Sequence, residues 1–179
     1  MGHGPSGNSS LLGHLQFWRD LTLTPEIKNY ASSLYEKAST ESVKQLKEER
    51  ASYLAKVAQR STGFSLLSGS EIQAIVERHV RHIERCMSAR LESYRQAFLE
   101  ARQAPTDEDF NAILTEAQSI RDLQANHSAA AVRRLIMSRG GTHLPPGASA
   151  SAINTLTSSS AHGHDRVLRE WKIWRNKVR

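Results

Sequence analysis

The chain has 179 residues, with 24 Lys and Arg against 18 Asp and Glu, a formal net charge of +6 and 39% hydrophobic residues. Its mean hydropathy is −0.51, and its apolar content lies below the ~45–50% of ordinary globular domains, so a large enzyme-like core is not expected and any core must be thin, elongated or shared with a partner. The excess of cations permits nucleic acid, anionic lipid or an acidic protein as partner without choosing among them.

Cys86 is the only cysteine, so no internal disulfide forms, which points to a reducing, cytoplasmic setting. The opening MGHGPSGNSS lacks the charged and apolar regions of an export signal, and no window approaches the ~18 consecutive apolar residues of a membrane span. Residues 1–10 read as a flexible tail. Leu11, Leu12, Leu15, Trp18 and Leu21 then recur at the spacing of a short amphipathic helix.

Thr24-Pro25-Glu26 supplies a cap, a first-turn proline and an acid, predicting a helix from Pro25 to about Arg60. Its apolar stripe runs through Ile27, Tyr30, Leu34 and Ala38, then Val43, Leu46, Tyr53, Leu54 and Val57, with interruptions around Glu41 and Arg50. Ser70 with Gln73 three residues on reads as the capping box of the next helix, which carries the steadiest stripe of the chain, Val76, Val80, Ile83, Met87, Leu91, Tyr94, Phe98 and Ala101. Pro105 stops it. Thr106 and Asp109 form a further cap pair, so a third helix is predicted from Asp107, continuing through Asn126-His127-Ser128 to Arg139, where Gly140-Gly141 ends it.

Residues 140–163 combine glycine, proline, serine, threonine and alanine and read as a flexible linker, after which residues 164–179 turn helical again. No alternating β pattern or hairpin turn competes. The expectation is an all-α fold, an elongated antiparallel three-helix bundle over residues 11–139, with a short N-terminal helix and a separate C-terminal amphipathic helix.

Three constellations carry chemistry in principle. His79, His82 and Cys86 share one side of a helix and, with His127, could ligate a metal; the spacing matches no established zinc motif, so the expected reading is structural, with no metal and no cofactor. Residues 118–139 admit a helix-turn-helix with Arg133 and Arg134 exposed, although Asp107, Glu108 and Asp109 at its start would repel DNA. No phosphate loop, dinucleotide fingerprint or nucleophile–base pair appears, so a non-enzymatic protein is expected.

The third constellation is C-terminal. Val167, Leu168, Trp171, Trp174 and Val178 form one apolar stripe, flanked by Arg166, Arg169, Lys172, Arg175 and Lys177. Residues 165–179 hold a net +4, two thirds of the charge of the whole chain. Two tryptophans on a basic amphipathic helix suit an anionic membrane surface or the groove of a protein partner, and burial as a fourth bundle member is the competing outcome. The expected function is therefore a cytoplasmic scaffold or adaptor, with homodimer formation in keeping with long interrupted stripes. A nucleic-acid-binding regulator is the alternative, and a metal-dependent helical-bundle enzyme a more distant one.

Overall fold

The computed structural model describes residues 23–60, 67–139, 144 and 146–178. All secondary structure among them is helical: α1 Pro25–Arg60, α2 Gly69–Glu100, α3 Asp107–Arg139 and α4 Ala148–Val178. The expected tail over 1–10 and short helix over 11–21 lie outside the described residues.

Local chemistry fixes most boundaries. The α3 cap is reciprocal: the Thr106 amide donates to Asp109 Oδ2 at 2.9 Å and the Asp109 amide to Thr106 Oγ1 at 3.1 Å. Asp109 Oδ1 also accepts from the Leu23 amide at 2.6 Å, tying the entry of α1 to the start of α3. For α2 the cap is Ser68 with Glu71, two residues before the expected Ser70 and Gln73. Glu71 supplies a charged acceptor to the Ser68 amide at 2.7 Å, a stronger reciprocal bond than the neutral Gln73 amide could make.

The C-terminus of α2 closes before Pro105. The Gln103 amide reaches the Phe98 carbonyl and the Arg102 amide the Leu99 carbonyl, with Arg102 at φ 52°. This is a Schellman closure with arginine where glycine is favoured. Arg102→Gly should raise stability by about 0.5–1 kcal/mol, since removing the left-handed penalty outweighs the added freedom of the unfolded chain. A urea midpoint that rises at constant slope checks it.

The fourth helix corrects the expected linker. Residues 148–163 are helical and continue without a break into 164–178, so the C-terminal helix is twice the expected length and packs on both α2 and α3. Serine and threonine are poor helix formers because their hydroxyls compete for the backbone. Here those hydroxyls are absorbed inside the helix: Thr155 donates to the Ser151 carbonyl, Thr157 to Ile153 and Ser160 to Thr157, each at 2.9–3.0 Å. What holds the segment is a buried stripe, Ala152, Leu156, Ser160, Gly163, Val167 and Trp171, spaced by four or three. At Gly163 a Cβ would fall 2.7 Å from Glu84 Cγ, so any larger residue there would displace the Glu84 side chain from its place against α4.

Helix α2 is the centre of the assembly, packing against each of the other three, while α3 also packs on α4. The core is split in two. One apolar cluster joins Ile27, Met87, Tyr94, Phe110, Val167 and Trp171, and the other joins Val57, Ile75, Val76, Val132, Ile136 and Leu156. Between them runs a belt of buried polar side chains, Ser42, His79, His82, Ser128, Ser160 and His164. The bundle interior is therefore polar at mid-height, a layer that costs stability wherever its groups lack partners.

Candidate functional site

The belt opens to the surface on one side only partly covered by helix. No Cα of α1 comes within 8 Å of a Cα of α3. Near their N-termini the two are bridged by side chains: Arg90 of α2, 8% exposed, donates from Nε and Nη2 to Glu116 of α3 at 3.1 and 2.5 Å and from Nη1 to Ser32 of α1 at 3.4 Å. Tyr94 donates to the same Glu116 oxygen at 2.8 Å, and burial pushes its hydroxyl pKa up. Above this clamp, the helices part and leave a groove.

Three adjoining cavities make up the groove. The largest, about 710 Å³, lies between Tyr35, Val43, Ile120 and Leu123. The middle one, about 310 Å³, has His79 and His82 on its floor, Val43, Leu46 and Ala131 on its walls and Lys47 and Arg50 at its rim. The third lies between Arg50, Arg134 and Leu135. Apolar surface remains uncovered along it, with Val43 at 37% and Leu123 at 52% exposure. Among the described residues no carboxylate forms an ion pair with Lys47, Arg50 or Arg134.

On the floor, His79 Nδ1 lies 3.0 Å from Ser128 Oγ and His82 Nδ1 lies 2.9 Å from Ser42 Oγ, so each imidazole ties α2 to one flanking helix. Nε2 of His79 is buried and meets no hydrogen-bond partner among the described residues. Burial above all, then the charge of Arg50 and the neighbouring His82, lowers the His79 pKa to about 4. Burial likewise lowers that of His82. Cys86 Sγ sits 3.8 Å from His82 Nδ1, with its thiol pKa pushed up by burial. Among the described residues, no three ligating side chains come together to hold a metal ion; a serine hydroxyl meets Nδ1 of each ring.

The C-terminal residues are placed differently from the expected contact face. Val167 and Trp171 are buried, at 5% and 4% exposure, while Leu168, Trp174 and Val178 are half-buried. Trp171 stacks on Phe110 with ring centroids 5.4 Å apart and meets Trp174 at 4.5 Å. The apolar stripe thus faces the bundle, because α2 and α3 offer it a better apolar surface than solvent does. Arg166 pairs with Glu84 at 2.5 Å, and Arg175 pairs with Asp107 and lies over the Phe110 ring. Arg169, Lys172 and Lys177 point outward, with Ile173 between them at 56% exposure.

Helix α3 is unbroken from Asp107 to Arg139, so the turn that a helix-turn-helix requires at 126–128 does not form. Arg133 and Arg134 are both exposed, Arg134 beside the third cavity of the groove. Of the groove residues, Val43 and Leu46 belong to the α1 stripe expected to be buried, whereas the structure leaves Val43 exposed and Leu46 half-buried; Lys47 and Gln124 are not singled out by sequence pattern. The signal for the groove is the interruption of the α1 stripe at Glu41 and Arg50, which brackets the α1 residues that line the middle cavity.

No protein-family model matches the chain, and no curated protein or solved structure matches it either. Among the described residues no helix is long and apolar enough to cross a membrane.

Proposed function

We propose that the protein is a non-enzymatic helical binding module that receives an amphipathic helix of a partner protein in the groove between α1 and α3. The observation that carries this reading is the uncovered apolar strip of Val43, Leu46, Ile120 and Leu123 between cations that lack carboxylate partners. A helix laid in such a groove buries an apolar face, and acidic residues at its edges meet Lys47, Arg50 and Arg134. The scaffold or adaptor class expected from the sequence is kept, with the contact element moved from the C-terminal stripe to the groove.

Val43→Glu combined with Leu123→Glu tests it, because both positions are exposed and the pair should leave the melting temperature nearly unaltered. Capture from source cells with the intact chain and the variant in parallel should yield a protein bearing an acidic amphipathic helix, with a peptide of that helix binding the variant at least about tenfold more weakly. Identical capture by both chains refutes the reading. Self-association abolished by the same pair would instead assign the groove to a second copy of this chain.

A second reading keeps the C-terminal helix as a contact element through its outward side. Arg169, Lys172 and Lys177 form no ion pair among the described residues and flank the exposed Ile173, a pattern suited to an anionic lipid surface. Sedimentation with phosphatidylserine vesicles that persists in Lys172→Glu would eliminate it.

A further inference from the structure

Of the cavities in the groove, the middle one is the most fully equipped. Its volume of about 310 Å³ is at the lower end of the ~300–1,000 Å³ typical of small-molecule sites. Three chemical features meet there. The walls of Val43, Leu46 and Ala131 are apolar and the rim holds Lys47 and Arg50 without counter-charge, while a 3% exposed imidazole on the floor has one nitrogen unpartnered among the described residues.

We infer that this cavity is a binding site for a small organic carboxylate, whose apolar part lies on Val43, Leu46 and Ala131 and whose charged end sits between Arg50 and Lys47, above the His79 ring on the floor. A bare inorganic anion would leave the apolar walls uncovered. A divalent cation would be repelled by Lys47 and Arg50 and would find no set of three ligands among the described residues. A planar carboxylate matches the guanidinium fork of Arg50 in two parallel hydrogen bonds. When the Ser128 hydroxyl donates to His79 Nδ1, the ring proton resides on the covered Nε2, so Arg50 and Lys47 hold the carboxylate and His79 senses its charge from the floor. The site spans α1, α2 and α3, so an occupant would bridge the two helices that the groove keeps apart.

The electrostatic consequence is specific. His79 is faced by Arg50 and Lys47 from α1, by His82 from its own helix and by Ser128 and His127 from α3. The added negative charge should raise the His79 pKa by about 1–3 from its low value.

Benzoate is the probe and benzyl alcohol its neutral counterpart, titrated into the full chain with amide and imidazole resonances followed by NMR. Expected are saturable benzoate shifts at Val43, His79 and Ala131, an upward move of the His79 titration, no saturable binding of benzyl alcohol and an affinity lower by at least about tenfold in Arg50→Gln. Arg50 is partly exposed and pairs with no carboxylate among the described residues, so that variant should fold, which its unchanged circular dichroism would verify. Absence of saturable benzoate shifts, equal binding of benzyl alcohol, or full affinity in Arg50→Gln would each overturn the inference. The probe needs no partner protein, so its failure leaves the helix-binding reading standing, and the reverse also holds.

Discussion

Acidification from about pH 7 to about pH 5 should cost the fold stability, with a slope from His79 that steepens towards about 1.4 kcal/mol per pH unit as the imidazole of the unfolded chain becomes fully protonated. In the unfolded chain His79 takes up its proton near its ordinary pKa of about 6.5, whereas in the fold burial and Arg50 delay protonation until about pH 4. The unfolded state therefore binds more protons throughout that window. Stability is fully present above about pH 7 and is lost as pH falls, reaching on the order of 3 kcal/mol for His79 alone by pH 4. His82 shifts in the same direction and adds to the slope.

Urea denaturation at a series of pH values between about 7 and 5 reads this slope above the range in which ordinary carboxylates titrate. His79→Gln keeps a polar group within reach of Ser128 and removes the titration, so it should flatten part of the curve although it lowers stability at neutral pH. A native chain with pH-independent stability over that window would mean that His79 is hydrated and protonates freely, and the floor of the groove would then be open to water.

The same residues show how far the sequence could be read. His79, His82 and Cys86 are recognisable as one helical side because their spacing of three and seven is purely local. Which atoms they meet depends on Ser42 and Ser128, 40 and 49 residues away, and nothing in the pattern of α2 names a serine as the partner in place of a metal. The boundaries Pro25 and Asp107 are legible because cap and first turn are contiguous in sequence. Ser68 and Ser70 each precede an acceptor by three residues, and charge decides between them. The first half of α4 is obscured because its composition is that of a linker. Its stripe of Ala152, Leu156, Ser160 and Gly163 is a signal of close packing, though one with Leu156 as its single large apolar residue. The groove is the least legible feature, since it arises from the distance between two helices that each look ordinary alone.

Trp171→Ala is expected to destabilise the chain by about 3–5 kcal/mol, the usual cost of deleting a large buried aromatic side chain. That corresponds to a melting temperature lower by about 6–20 °C for a chain of this size. The ring is 4% exposed and belongs to the apolar cluster that ties α4 to α2 and α3, so its removal leaves a cavity against Phe110 and Trp174 that backbone relaxation only partly fills. Trp174, half-buried at the edge of the same pair, should cost clearly less. Trp171→Phe separates two contributions: it retains most of the stacking on Phe110 at 5.4 Å, and it removes an indole N–H that is buried without a partner among the described residues. An unpaired buried donor costs about 1–3 kcal/mol, so the phenylalanine variant should lose much less than the alanine one. Calorimetry of the three variants decides the matter. If Trp171→Ala melts within a degree or two of the native chain, the indole does not sit in the core, and the C-terminal stripe returns as a surface available to a partner or a membrane.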